Sequence, residues 1–167
     1  FPTGDVDSTT PPVSIGTIPG VATSNEFSFS AMVRFDTGSG NRSWERIFDF
    51  GGGPGTHNVL LARYQTSDDL HLQIQSGSTV VGSIRISDAL VGVEGQWHQY
   101  GVTIDSTGLA SLFIDGVVVG TVQATAIPDY STWTENYIGS SNWSFDKQFQ
   151  GAMDDIGIFD RALTAAE

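Results

Sequence analysis

The chain has 167 residues, 39% of them hydrophobic and 16% charged, which suits one domain with a buried core and neither a disordered chain nor a coiled coil. Nineteen acidic against seven basic residues give a formal net charge of −12, and such a surface repels nucleic acid and anionic membranes. The lack of cysteine excludes disulfides and zinc–thiolate sites, and no apolar run reaches the roughly 18 residues of a membrane-spanning helix.

The chain begins with Phe1 rather than methionine, and no basic segment followed by an apolar one marks a signal peptide. We interpret residues 1–167 as a single domain excised from a larger multidomain protein, because no internal repeat or second domain is visible. Composition leaves two readings of the acidic surplus open: solubility, or carboxylates that await divalent cations.

Alternation of apolar and polar residues with a period of two predicts half-buried antiparallel strands. The first candidate strand is residues 13–18, within an opening rich in Pro, Gly, Ser and Thr. The clearest alternation covers residues 26–35 and places these side chains on one face: Phe27, Phe29, Ala31, Val33 and Phe35. Further alternating segments follow at residues 70–75, 80–87, 99–105 and 110–116.

Turn residues separate these segments. The dipeptide Asp115–Gly116 is a strong signal for a two-residue hairpin, and breakers occur at residues 51–55 and 76–78. Candidate strands spaced about 8–14 residues apart, with almost no helical periodicity, predict an all-β fold of two antiparallel sheets packed as a sandwich. Only residues 160–167 favour a short helical turn, with Asp160 as its N-cap.

The order of motifs along nearly the whole chain is more specific than any single motif. The chain carries, in sequence, FSFSAMVRF, RIFDFG, NVLLARY, GQWHQYGVTID, ASLFIDGVVVG, NYIGSSNW and FQGAMDDIGIFDRALTAAE. This series resembles the laminin-G-like domains of the concanavalin A-like lectin/glucanase superfamily, above all the branch found in large secreted and surface proteins of bacteria. The resemblance implies a jelly roll of two curved antiparallel sheets and an extracellular or cell-surface location.

The last alternating segment contains two adjacent aspartates. A period of two places Asp154 on the same face as Ile156 and Ile158, and a buried carboxylate is costly unless it is paired, hydrogen-bonded or metal-bound. The resemblance implies a structural calcium held by Asp154 with Asp7, or with Asp5, from the amino-terminal loop. The alternative is an aspartate hydrogen-bonded to backbone amides without a metal.

Sugar binding uses aromatic faces that stack on pyranose rings and planar polar side chains that bond hydroxyl groups at a shallow site. Two segments offer such groups, residues 41–63 and residues 140–149. The candidate ligand-binding residues are Trp143, Asn142, Asp146, Asp49, Arg63 and Trp44. A second calcium that joins Asp146 and Asn142 would bridge to vicinal hydroxyls of a ligand.

The same residues also have structural interpretations. Trp143 suits an aromatic that anchors its own loop, and Trp44 and Trp97 suit core positions. Trp133 suits a cover over a sheet edge, and Asp49 suits a turn cap or a salt bridge to a nearby arginine. The alternation also predicts a polar sheet face formed by His71, Gln73, Gln75 and Arg85. Such a face is more often a solvated surface than a binding groove.

Catalytic motifs are missing from the sequence. Glucanases of the resembled superfamily use an E-x-D-x-x-E type of arrangement, whereas the glutamates here are isolated, and the three histidines fall in separate segments. We therefore expect no enzymatic activity and predict a calcium-dependent carbohydrate-binding or adhesion module that meets glycans and surface proteins. The alternative is a structural or protein-binding spacer domain without glycan affinity.

Overall fold

Two antiparallel sheets dominate the computed structural model, which describes residues 13–38 and 42–167. The strands are β1 Val13–Ser14, β2 Phe27–Phe35, β3 Arg46–Gly51, β4 Val59–Arg63, β5 Leu70–Ser76, β6 Thr79–Ile86, β7 His98–Ile104, β8 Leu109–Ile114, β9 Val117–Gln123, β10 Glu135–Ile138 and β11 Gly151–Phe159. Helical structure in these ranges is limited to α1 Val21–Ser24 and a 3₁₀ turn at Tyr130–Thr132. Neither helix has the length or apolar character that crossing a membrane requires.

The strand order confirms the predicted sandwich. One sheet has six strands in the order β1-β10-β3-β4-β5-β6, and the other has five in the order β11-β2-β7-β8-β9. Every neighbouring pair is antiparallel. The fold is therefore the two-sheet, all-β architecture that the alternation of apolar and polar residues predicts.

The core lies between the two sheets and is formed by the predicted inward faces. The five alternating side chains of β2, from Phe27 to Phe35, are at most 1% exposed. Phe29 of one sheet meets Phe48 of the other with ring centroids 4.4 Å apart. Because burial of each such side chain stabilises the fold by roughly 1.5–3 kcal/mol, this pattern determines which face of each sheet points inward.

The predicted hairpin at Asp115–Gly116 is confirmed. Both residues have positive φ, 51° and 75°, and they connect β8 directly to β9. Positive φ at both central residues gives a turn whose twist matches that of the flanking strands. The Asp115 carboxylate also accepts a hydrogen bond from the backbone amide of Gln99 at 2.9 Å, which ties the turn to β7.

The carboxyl-terminal segment does not form the predicted helical turn. The Ser28 hydroxyl donates to the Arg161 carbonyl at 2.7 Å and accepts from the Leu163 amide at 3.0 Å. These two hydrogen bonds hold the segment against β2, and a tertiary contact of this kind overrides weak local helix propensity. The first strand is also shorter than predicted, Val13–Ser14 rather than residues 13–18.

Two tryptophan predictions are wrong. Trp97, predicted to lie in the core, is 44% exposed, with the guanidinium carbon of Arg34 5.8 Å from its ring centroid. Trp133, predicted to cover a sheet edge, is only 3% exposed and packs edge-on against Phe27 at 5.3 Å. Its indole N–H donates to the carbonyl of His57 at 2.8 Å, so the buried donor is satisfied.

A β-bulge corrects the prediction for Asp154. On β11 the register with β2 shifts between Asp154 and Gly157, and Asp155 adopts a φ of 50°. The extra residue reverses the alternation, so Asp154 is exposed while Ile158 after the bulge packs against the core. One carboxylate oxygen of Asp154 accepts from the Asp155 amide at 2.8 Å.

Candidate functional site

The outer face of the six-stranded sheet carries two rows of paired residues that point away from the core. One row runs across β3 to β6 as Asp49, Leu60, Gln73 and Ser83, and the other as Arg46, Ala62, His71 and Arg85. Leu60 and Ala62 lie on this outer face, outside the core cluster, yet are 2% and 0% exposed. At β3 and β4 this face is therefore covered by further side chains, whereas Ser83 and Arg85 on β6 are exposed.

A bulge in β3 brings the charged residues of this face together. The register with β4 shifts between Arg46 and Phe48, so Arg46 joins Asp49 on the outer face while Ile47 and Phe48 both enter the core. Arg46 Nε lies 3.4 Å from Asp49 Oδ2. Its Nη2 lies 2.7 Å from Oδ2 of Asp146, which comes from the loop after β10.

These three charged side chains are almost completely buried: Arg46 is 4% exposed, Asp49 0% and Asp146 3%. Burial raises the pKa of Asp146, against the opposing effect of the Arg46 charge and the Ser141 hydroxyl. The Ser141 hydroxyl donates to Asp146 at 2.8 Å. A single arginine therefore faces two carboxylates, and the cluster carries one net negative charge when all three groups are ionised.

Asp49 is the anchor of the loop after β10. Its carboxylate accepts from the backbone amide of Asn142 at 3.1 Å, from the Asn142 side chain at 3.0 Å and from the Asn58 side chain at 2.9 Å. Because Asp49 is fully buried, its contribution is to position the loop rather than to contact a ligand. Asn142 has the same anchoring role. The interpretation of both residues as ligand contacts did not include this role.

Two indole rings flank the buried arginine. The guanidinium carbon of Arg46 lies 5.4 Å from the ring centroid of Trp44 and 5.6 Å from that of Trp143. Trp44 adopts a φ of 60°, a left-handed conformation that is uncommon for a bulky residue and often marks a functional position. Arg46 thus fixes the spacing of the two indoles by stacking on both.

A cavity of about 240 Å³ opens between the two indoles. Its lining consists of Trp44, Arg46, Leu60, Gln73, Trp143, Phe145 and Asp146. Phe145 is 77% exposed, so its ring stands free at the mouth of the cavity. The structure therefore brings together three of the predicted ligand-binding residues, Trp44, Trp143 and Asp146, and supports them with Asp49 and Asn142.

Arg63, the remaining predicted ligand-binding residue, lies apart from this cavity. Its Nε is 2.8 Å from Oε1 of Glu45, its side chain is 3% exposed, and its guanidinium carbon sits 5.7 Å from the ring centroid of Phe35. Burial raises the pKa of Glu45 even though Arg63 opposes the shift. Arg63 is therefore a buried ion-pair partner that packs on an aromatic ring.

An aromatic cluster continues the site along the sheet. Tyr64 contacts Trp44 at a centroid distance of 5.0 Å and His71 at 5.2 Å, and the Arg85 guanidinium carbon lies 3.7 Å from the Tyr64 ring centroid. This cover explains why His71 is only 5% exposed. The predicted solvated face is wrong for His71 and for Gln75, which is 6% exposed, whereas Arg85 on β6 is exposed as predicted. Burial, aided by the charges of Arg46 and Arg85, lowers the pKa of His71 to about 4.

Sequence reasoning missed Phe145 and Leu60 as cavity residues, and it considered Gln73 only within a polar face whose alternative interpretation was a binding groove. The alternation of β5 does place Gln73 on the outer face, but nothing in the sequence shows that a distant loop folds over it. Phe145 carries no periodic signal, because it lies in the irregular loop between β10 and β11.

The predicted calcium ligands are not assembled in the described ranges. Asp5 and Asp7 lie outside the described residues, and Asp154 is exposed. Within residues 13–38 and 42–167, no group of three or more Asp, Glu, His or Cys side chains is arranged to hold a metal ion. The described residues therefore supply only Asp154 of the predicted set.

Solved structures with the same fold include carbohydrate-binding domains. The CBM40 domain of the Ruminococcus gnavus IT-sialidase bound to α2,3-sialyllactose is 12% identical, with a TM-score of 0.69, over 93% of this chain and 88% of that chain. A structure of botulinum neurotoxin type C, whose cell entry is described as dependent on interaction with two ganglioside molecules, is 17% identical, with a TM-score of 0.60, over 84% of this chain and 34% of that chain.

The binding domain of botulinum neurotoxin DC in complex with rat synaptotagmin II is 15% identical, with a TM-score of 0.62, over 87% of this chain and 34% of that chain. At such identities these likenesses establish the fold alone. Comparison with curated proteins finds no relative of significant sequence similarity. A laminin-G-type family model, described as concanavalin A-like lectin/glucanases superfamily, matches residues 7–167. The chain therefore belongs to the laminin-G-like branch of the concanavalin A-like lectin/glucanases superfamily.

Proposed function

We propose that this domain is a non-catalytic carbohydrate-binding module that holds a glycan at the cavity on the outer face of the six-stranded sheet. The observation that carries the proposal is the placement of Trp44 and Trp143 on either side of the buried Arg46, with the exposed Phe145 ring at the cavity mouth. Aromatic faces held rigidly beside a few polar groups are the usual means of binding a sugar ring.

The charges of the cavity favour a neutral sugar ring. The Arg46 guanidinium is already opposed by two carboxylates, Asp49 and Asp146, so little positive charge remains for an acidic substituent. Gln73 supplies a planar amide at the cavity wall and Asp146 supplies carboxylate oxygens, both of which bond hydroxyl groups. Ring stacking on Trp143 and Phe145 would then provide most of the affinity.

Structures of the same fold support the class of ligand rather than its identity. Two of them are described with sialyllactose, which is a glycan, and with gangliosides, which are lipids that carry a glycan head group. Glycans of this kind meet proteins outside the cell, so we place the domain in a secreted or cell-surface protein. Fold likeness does not specify a ligand, and the experiment therefore uses a panel of glycans.

The test is a glycan array followed by calorimetric titration of the strongest ligand. Trp143→Ala and Phe145→Ala should each weaken binding by about fivefold to tenfold, in line with roughly 1–1.5 kcal/mol per aromatic contact. Trp97→Ala is the matched control, because Trp97 is an exposed indole associated with the other sheet, and it should leave the affinity unchanged. No glycan above background would overturn the proposal and favour a structural or protein-binding spacer.

Calcium dependence is part of the proposal and is tested separately. Asp154 with Asp7 or Asp5 would hold the ion, which takes six to eight oxygen ligands from carboxylates and carbonyls. The array is run with calcium and with a chelator. Glycan binding that persists in chelator would remove calcium from the proposal and leave the sugar-binding cavity intact.

A further inference from the structure

The outer face of the five-stranded sheet contains a trough that the proposed glycan site does not use. Three small residues on adjacent strands pair in one cross-strand row, Gly157 with Ser30 and Ser30 with Gly101. The next residue in that row is Phe113. Two of the three floor positions lack a side chain, which leaves a depression in the sheet along this row; Ser30 and Gly157 are half-buried there and Gly101 is buried.

Aromatic rings and the carboxyl-terminal segment form the walls of the trough. Phe159 folds back over Gly157, where an added β-carbon would lie 2.8 Å from its ring, and Phe113 borders Gly101. Residues 163–166, held against β2 by Ser28, border it on a further side. The enclosed volume is about 380 Å³, which is larger than the cavity of the proposed glycan site.

The trough is acidic at its rim. No arginine, lysine or histidine occurs among the described residues that line it. Glu167 is neutralised by Arg161, with Nη1 3.0 Å from Oε2. Asp155 is exposed on the bulge of β11, and its carboxylate has no hydrogen-bond or ion-pair partner among the described residues. The trough therefore offers one uncompensated carboxylate beside two phenyl rings.

We propose that this trough binds a lysine or arginine side chain of a basic peptide segment in a partner protein. The alkyl stem would lie on the glycine floor between Phe113 and Phe159, and the cationic head would pair with Asp155. Long basic side chains bury their methylene groups in this way while the charge stays near water, and a cation also gains from adjacent aromatic rings. The net charge of −12 steers such a segment toward the domain.

The trough can be filled without disturbing the strand that forms its floor. A β-carbon at Gly101 would lie 3.4 Å from the Phe113 β-carbon and 3.7 Å from the Phe29 carbonyl oxygen, which are ordinary contacts. Valine is favoured in strands, so Gly101→Val should occlude the trough and leave the melting temperature unchanged or higher. Ser111→Val is the matched control, since Ser111 lies on the same sheet face, on β8, outside the trough lining.

The binding test is NMR titration of the whole domain with a tripeptide, N-acetyl-Gly-Arg-Gly-amide, and with its citrulline analogue, which is a neutral isostere. We expect the arginine peptide to shift the amide signals of Gly101 and Gly157, and the citrulline peptide to bind at least about tenfold more weakly. Gly101→Val should abolish the shifts and Asp155→Asn should weaken them. Two control variants, Ser111→Val and Asp160→Asn, should leave the shifts unchanged. Asp160→Asn removes the same charge as Asp155→Asn, but from an exposed site outside the trough lining.

Three results would overturn this proposal. They are equal shifts with the citrulline peptide, shifts that survive Gly101→Val, and the absence of shifts at millimolar peptide. Shifts of the same amides by a neutral oligosaccharide, with none by the arginine peptide, would assign the trough to sugars instead. The proposed glycan cavity is monitored separately through Trp143, so failure at one site is distinguishable from failure at the other.

Discussion

Replacing Asp146 with alanine tests the buried charge cluster directly. The change removes the carboxylate 2.7 Å from Arg46 Nη2 and leaves a guanidinium that is 4% exposed. Breaking a buried ion pair by removing one partner typically costs about 3–5 kcal/mol. Here Asp49 remains 3.4 Å from Nε and keeps part of the compensation, so we expect a loss of about 2–3 kcal/mol. For a domain of this size that loss lowers the melting temperature by about 4–12 °C.

Urea unfolding followed by circular dichroism measures this loss as a change in the free energy of unfolding. Asp68→Ala is the control, because Asp68 is also an arginine partner but has a side chain that is 49% exposed. Pairs with such an exposed partner are worth about 0–1 kcal/mol, so the control should remain close to the wild type. A loss below about 0.5 kcal/mol for Asp146→Ala, equal to the control, would show that the cluster does not exist in solution as described.

Three further predictions concern pH, metal and backbone conformation. Burial lowers the pKa of His71 to about 4 in the folded state, so between about pH 6.5 and 4 the unfolded chain takes up a proton that the folded one does not. The free energy of unfolding should therefore fall by at most about 3 kcal/mol over this pH range. His71→Gln should remove this pH dependence in unfolding measurements, and an unchanged pH dependence would contradict the assignment to His71. Calcium at 100 times its dissociation constant should stabilise the wild type by about 2.7 kcal/mol and should stabilise Asp154→Ala much less. Equal melting temperatures of the wild type with calcium and with chelator would show that the domain binds no structural calcium. Gly116→Ala should lower the free energy of unfolding by about 1 kcal/mol, because φ at this position is 75°. An unchanged melting temperature would mean that the turn adopts another conformation without strain.

The alternation of single strands was sufficient to predict the sandwich and the core-facing side chains of β2, β5 and β7. Phe29 on β2 and Ile74 on β5 are on the predicted faces and are 1% and 0% exposed. The glycine at position 116 likewise predicts its turn, because only a few residues adopt positive φ without strain. These features depend on interactions near in sequence or on a regular period, and both are visible in one chain.

The features that sequence reasoning missed follow from irregularity. Bulges at Arg46–Phe48 and Asp154–Gly157 each insert one residue and reverse the alternation that follows. The first bulge creates the charge cluster, and the second exposes Asp154, which a strict period of two would bury. The cavity itself depends on the fold of the loop between β10 and β11, whose path is set by hydrogen bonds to Asp49 across 93 residues of sequence.

The buried cluster of Arg46, Asp49 and Asp146 contributes geometry more than stability. Desolvation of three charges offsets much of their attraction, and a well-packed apolar group of the same volume is often equally or more stable. An apolar group would not, however, hold both indoles at 5.4 and 5.6 Å from a common guanidinium or bind the loop through the Asn142 amide. Because Trp143 lies on an irregular loop, its orientation depends on these contacts. The cluster would therefore be the rigid support of the proposed sugar-stacking surface, since a loop that is already ordered does not lose binding free energy by becoming ordered on the ligand.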